Sequence, residues 1–293
     1  MEKNRNNRKV QWIGPLAAVL LTALSSGAHA ENARRVSGLQ TPESVLATKD
    51  GKVYVSEINE FGKDGDGRVS EITADGKIKP FAIGLDDPKG LTTFGKDIYV
   101  TDKVRVIKIA PDGTWKVLAA ADAFPAEPQF LNDIEADAEG NLYVSDSGNT
   151  EKGSGGAIYR ISPAGKVTLV INGAKDNRVL APNGLVVKNG GKTLLYVDFV
   201  SGILYSLDVK TKALKKIADG FGAGDGLVET DSGIIYVSDW KGGQVFRLNR
   251  EHRVEVIKTG YQTAADLALA RDGHTLIVPD MKGGMVEWLP LQQ

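Results

Sequence analysis

The chain has 293 residues and a formal net charge of −1, and beyond its first thirty residues it has no basic block. It therefore carries no signature of a nucleic-acid ligand or an anionic membrane surface. Cysteine is absent, so disulfides and zinc–thiolate centres are excluded. The three histidines become two once the N-terminal segment is set aside, too few for a multi-histidine zinc site.

Residues 1–30 read as an export signal. Lys3, Arg5, Arg8 and Lys9 form a basic start, Leu16 to Leu24 an apolar core, and Ala28-His29-Ala30 a small-x-small cleavage site. The apolar run is bracketed by Gly14-Pro15 and Ser25-Ser26. It is shorter than the ~20 residues that span a bilayer, which favours cleavage over an anchor. Removal takes away four basic side chains and Glu2, leaving residues 31–293 with a net charge of −4 and no second apolar run of spanning length. The expected location is the periplasm or the medium, with no membrane contact after cleavage.

From there the sequence repeats. A strand with Tyr-Val near its end recurs as Val53-Tyr54-Val55-Ser56-Glu57, Ile98-Tyr99-Val100-Thr101-Asp102, Leu142-Tyr143-Val144-Ser145-Asp146, Leu195-Tyr196-Val197-Asp198 and Ile235-Tyr236-Val237-Ser238-Asp239. A sixth copy, Leu276-Ile277-Val278-Pro279-Asp280, lacks the tyrosine. The spacings from Tyr54 to Ile277 are 45, 44, 53, 40 and 41, the period of a four-stranded propeller blade. Each unit has an apolar strand before this one, a Gly-containing turn between them, and further strands joined by Asp-Gly or Ala-Gly turns, such as Gly156 to Ile161 followed by Val167 to Ile171. The sixth unit ends after Met285 to Leu289 without a fourth strand. Arg35-Val36-Ser37-Gly38-Leu39 resembles the fourth strands of other units, so residues 34–39 are expected to complete the last blade and close the ring. The predicted fold is all-β: a single six-bladed β-propeller of four-stranded blades over residues 31–293.

The first strand of a blade lies nearest the axis, so its starting residue faces the central channel. Across the units that residue is Glu43, Lys89, Asn132, Asn183, Asp225 and Ala265. Asn-Gly and Asp-Gly are common turn dipeptides, and any single copy reads as a turn. Four oxygen-bearing residues in one register read as a site. Two carboxylates (Glu43, Asp225) and two amides (Asn132, Asn183) suit a hard cation, calcium or another divalent ion, with positions left for substrate.

The motifs Pro42-Glu43, Asn132-Asp133, Pro182-Asn183-Gly184-Leu185 and Gly224-Asp225-Gly226-Leu227 resemble those of the senescence-marker-protein/gluconolactonase (regucalcin-like) family, and more distantly diisopropylfluorophosphatase and the paraoxonases. The resemblance covers essentially all of residues 31–293. It implies a calcium ion at the top of the channel and hydrolysis of lactones, esters or organophosphates, with the metal polarising the carbonyl or phosphoryl oxygen. It implies that Asp225 acts as base or nucleophile and that Asp133 lies close to substrate. Lys89 and Asn132 are the candidates for substrate contact; Lys89 reads equally as an oxyanion or anion holder or as a structural lysine paired to Asp86, Asp87 or Glu43. The histidine pair of paraoxonase-type members has no counterpart: His252 and His274 fall in outer turns and are expected at the surface. Glu57, Asp102, Asp146, Asp239 and Asp280, at the ends of the second strands, are expected to ring the mouth in structural roles. The connections 59–67 and 147–156 are candidate lids. The functional expectation is an exported calcium-dependent lactonase or esterase acting on a small molecule. The alternatives are a non-catalytic, calcium-stabilised propeller that binds a protein or glycan, and a strictosidine-synthase-like activity on the same fold.

Overall fold

In a computed structural model, residues 34–251 and 253–291 are described, and they fall within one compact unit. The expected export signal and His252 lie outside the described residues. Six four-stranded antiparallel sheets follow one another along the chain, with their first strands at Pro42–Ala47, Pro88–Phe94, Leu131–Ala136, Pro182–Lys188, Gly224–Glu229 and Ala268–Leu269. Among the described residues the only helical element is one 3-10 turn at Ala121–Ala123, and no helix is long and apolar enough to cross a membrane. The sixth sheet takes its outer strand from Arg35–Ser37, which pairs antiparallel with Met285–Pro290 in the register Arg35↔Glu287, Val36↔Val286 and Ser37↔Met285. Glu287, almost completely buried, ties this seam: Arg35 reaches it at 3.1 Å and Lys258 at 2.9 Å.

The repeat determines the packing between blades. A hydrophobic cluster fills each blade interface, and at three of them it joins the tyrosine of one Tyr-Val strand to the valine of the next. Tyr54 meets Val100, Tyr99 meets Val144, and Tyr236 meets Val278. Blade four departs from the alignment expected of its sequence. Asp198 pairs with Pro182 as Asp146 does with Leu131, so Leu195 holds the tyrosine position and Tyr196 holds the valine position. Tyr196 is buried against Tyr143 of the preceding blade and the Tyr205 ring, 5.3 Å away.

The inner strands share a second feature. Five of them carry a one-residue bulge in register directly after their first pair, between Pro42 and Val45, Pro88 and Leu91, Leu131 and Ile134, Pro182 and Leu185, and Gly224 and Leu227. The channel residue and its successor form the bulge, which re-aims a side chain out of the pleat. The bulge frees a backbone N–H, and the serine of the Tyr-Val-Ser motif accepts it: Ser56 from Ser44, Ser145 from Asp133 and Ser238 from Gly226, at 2.8–2.9 Å. Asn183-Gly184 and Asp225-Gly226 are therefore strand residues, not hairpin turns.

Glycine follows the channel residue in blades two, four and five because the next inner strand lies against it. A Cβ on Gly90 would stand 2.6 Å from Asp133 Cα. On Gly184 it would stand 2.7 Å from Leu227 N, and on Gly226 2.7 Å from Asp266 Cα. These neighbours are backbone and cannot swing aside. Gly184→Ala is thus expected to destabilise the fold by about 1–3 kcal/mol, read as a lower denaturation midpoint; an unchanged midpoint would show that the inner strands are not in close contact.

Candidate metal centre and cavity

The bulges bring Glu43, Lys89, Asn132, Asn183 and Asp225 to the floor of one cavity of about 450 Å³ at the head of the channel. All five side chains are buried. Blade six supplies Ala265, so one side of the ring is apolar.

The hydrogen bonds of the two amides leave their oxygens to spare. Asn183 Nδ2 donates to Asp225 Oδ1 at 2.8 Å, and Asn132 Nδ2 donates to Ser147 Oγ at 3.1 Å. Asn183 Oδ1 and Glu43 Oε2 are buried without a hydrogen-bond partner. Unsatisfied buried acceptors are costly, and two lining one cavity call for a donor or a cation. Burial, reinforced by the charges of Asp225 and Asp133, pushes the Glu43 carboxyl well above its ordinary range, against the pull of Lys89. Burial likewise raises Asp225 to about 7, although the Asn183 hydrogen bond works the other way. Among the described residues no group of three or more His, Cys, Asp or Glu has metal-holding geometry, so any cation here relies on the amides as well as the two carboxylates.

Lys89 makes none of the expected ion pairs. Its Nζ donates to the main-chain oxygen of Asp87 at 3.1 Å and sits 4.4 Å above the Phe130 ring. Burial lowers its pKa, opposed chiefly by Glu43. Two of its three N–H donors remain for the cavity.

Asp133 lies deeper. It does not line the cavity with Asp225; its Oδ2 accepts from Leu185 N at 2.6 Å and its Oδ1 from Ile134 N at 2.7 Å, which fastens blade three to blade four. Asp266, in the same register of blade six, accepts from the Ser44 hydroxyl and fastens blade six to blade one. Burial raises Asp133 to about 6 and pushes Asp266 well above its ordinary range, helped by the charges of Asp133 and Glu43. Both line a hollow at the opposite end of the channel, with Glu135, whose carboxyl burial raises to about 8. Asp266 was legible in the repeat as the residue after Ala265, where Asp133 follows Asn132.

The carboxylates that end the second strands act as hooks. Each accepts backbone N–H groups from the segment entering its own inner strand: Glu57 from Gln40, Asp102 from Asp86, Asp146 from Gln129 and Phe130, Asp198 from Leu180 and Ala181, Asp239 from Ala223, and Asp280 from Gln262 and Thr263. The residue after each hook returns a backbone bond to the same segment, as Phe199 does to Ala181, Trp240 to Ala223 and Met281 to Thr263. These three side chains line the cavity. Sequence reasoning passed over them, although their place after Asp198, Asp239 and Asp280 is as periodic as that of the channel residues. The two candidate lid connections reach the same cavity through Phe61, Thr150 and Glu151. His274 is exposed, away from it.

The family model described as the SMP-30/Gluconolactonase/LRE-like region matches residues 89–280. No curated protein sequence matches the chain significantly. Among solved structures the fold is similar to that of a gluconolactonase from Xanthomonas campestris, at TM-score 0.72 and 16% identity over 89% of this chain and 91% of that one. It is similar to a calcium-binding protein, regucalcin, from Agrobacterium tumefaciens, at TM-score 0.69 and 18% identity over 88% and 97%. It is also similar to virginiamycin B lyase from Staphylococcus aureus, at TM-score 0.60 and 17% identity over 89% and 99%. At such identities the solved structures speak for the fold alone. The family match extends over well more than half of the sequence, from blade two to blade six, and on it this chain belongs to the SMP-30/gluconolactonase/LRE-like family.

Proposed function

We propose that this protein is an exported hydrolase of small lactones or esters that holds calcium, or a similar divalent cation, at the head of its channel. The observation that carries the reading is the pair of orphaned buried acceptors, Glu43 Oε2 and Asn183 Oδ1, on the floor of a cavity that also presents Asn132 and Asp225. Glu43, Asn132, Asn183 and Asp225 are the ligands. They offer oxygen only, they include two negative charges, and they are too few to complete the six to eight positions of calcium, which leaves room for water and substrate. When bound, the ion supplies a positive charge that polarises the substrate carbonyl. Family membership agrees with a lactone-directed hydrolase, and the arrangement at residues 1–30 agrees with export to the periplasm or the medium.

The protein's own groups divide the remaining work. The Asn183 amide holds Asp225 Oδ1, and Oδ2 accepts no hydrogen bond from the described residues, which leaves it to take a proton from the attacking water. In the metal-free protein burial raises the Asp225 carboxyl to about 7; with the cation beside it the group is held as the carboxylate, the form that can accept a proton. Lys89, with donors to spare, faces the cavity where negative charge develops on the carbonyl oxygen. Asp133 keeps the inner strands in place.

Hydrolysis of a panel of lactones and aryl esters is expected to disappear on treatment with EDTA and return with calcium. Asp225→Ala is expected to lower turnover by about 10²-fold or more, the scale of a lost general base; turnover at the wild-type level would remove Asp225 from the reaction. The raised carboxyls also give a pH signature without any substrate. Asp133, Asp225 and Glu135 have folded-state pKa values near 6, 7 and 8, all above those of the unfolded chain. A carboxyl raised on folding favours the fold fully below its unfolded value and loses that contribution as pH rises through the folded value. The metal-free protein should therefore lose thermal stability between pH 5 and pH 8, and calcium should restore it most at pH 8. A flat melting temperature across that range would contradict the buried carboxylate cluster.

A further inference from the structure

The walls of the cavity differ from its floor. Where five blades present polar side chains to the channel, blade six presents Ala265, which packs with Ile58 and Met281 and against Trp240. The residue after each second-strand hook continues the division around the ring. It is Ile58, Phe199, Trp240 and Met281 in blades one, four, five and six, and Lys103 and Ser147 in blades two and three. Phe199 and Trp240 face each other with ring centroids 6.2 Å apart. A second hollow, of about 430 Å³, continues outward from the first. The two share Thr150, Glu151, Phe199 and Lys241, and the second reaches Val200, which is 40% exposed. Together they form a groove that starts at the polar floor, passes over the aromatic pair and leaves the propeller between blades four and five. Lys241 Nζ lies 5.6 Å over the Phe199 ring and Lys282 Nζ 5.0 Å over Trp240, at the outer edge.

This wall is poorly matched to a polyhydroxylated ring. A hydroxyl brought against the ring faces of Phe199 and Trp240 or against Met281 loses water and gains at most the indole N–H of Trp240 and the weak thioether of Met281. An alkyl or aryl surface there gains burial instead. Resting on the hydrolase reading above, we infer that the substrate is a lactone or ester with an extended apolar substituent. Its carbonyl sits at the polar floor, and its alkyl or aryl tail runs over Phe199 toward Val200.

Lactams test this without turnover, because they keep the ring carbonyl and resist hydrolysis. Calorimetry on the calcium-loaded mature protein would compare δ-valerolactam, its 6-propyl and 6-hexyl derivatives, and a polyhydroxylated δ-lactam. Affinity is expected to rise by about threefold to fourfold for each methylene that is buried, with the hydroxylated lactam binding more weakly than the hexyl one. Phe199→Ala is expected to remove most of that gain, roughly tenfold or more for the hexyl compound. Val200→Asp, at an exposed position where folding is not at risk, is expected to weaken the hexyl lactam and spare the propyl one. Tighter binding of the hydroxylated lactam, equal affinity along the alkyl series, or no binding of the hexyl lactam would each overturn the inference. Failure of the hydrolase reading shows up separately, as lactams that bind in the expected order while the matching lactones are not hydrolysed.

Discussion

The close approach of the six inner strands is the constraint on which this molecule depends. Between blades two and three, four and five, and five and six, no side chain fits after the channel residue, because the next backbone occupies its place. Between blades three and four, and six and one, a carboxylate fills the equivalent position and bonds to the neighbouring strand. A ring this tight cannot keep a flat pleat at its upper end. The bulge that relieves it in blades one to five turns the first of its two residues toward the axis. Site and scaffold thus share one cause: the irregularity that lets the strands meet also aims Glu43, Lys89, Asn132, Asn183 and Asp225 at one point.

Closing the ring concentrates carboxyls along the channel. Glu43, Asp133, Asp225, Asp266 and Glu135 all have raised pKa values, and burial is the leading cause for each. Asp133 and Asp266 are compensated by the bonds they make across blade boundaries. Glu43 is not, since it keeps an oxygen without a partner and Lys89 does not come into ion-pair contact with it. The fold therefore keeps its unpartnered carboxyl oxygen on the floor of the cavity, where a ligand can reach it. Strained or costly arrangements that persist in a stable scaffold are where function is expected.

Much of this was legible in the residues. The period of the Tyr-Val strands, the missing fourth strand of the last blade and the match of residues 35–37 to it gave the propeller and its closure. The channel register gave the five polar residues of the cavity floor. Two things were hidden by local chemistry. Asn183-Gly184 and Asp225-Gly226 have the composition of hairpin turns, and only the packing of the next inner strand shows why glycine is needed inside a strand. Tyr196 was aligned with the other tyrosines by identity, whereas its pairing places it one residue along, because a tyrosine ring fills the same interface from the valine position once leucine takes its own. The apolar wall was missed for another reason: Phe199, Trp240 and Met281 belong to the repeat, but a hydrophobic residue after a strand reads as core until the cavity beside it is seen.

On the proposed function, the head of the channel is a cation site built from two carboxylates and two amide oxygens. Calcium titration of the metal-free protein by calorimetry, in two buffers of different ionisation enthalpy at pH 7, tests it directly. One bound ion per chain is expected, with proton release as the raised Asp225 and Glu43 carboxyls ionise, and with affinity lost in Glu43→Gln and Asp225→Asn. Absence of calcium binding, or binding that releases no proton and survives both substitutions, would contradict the account.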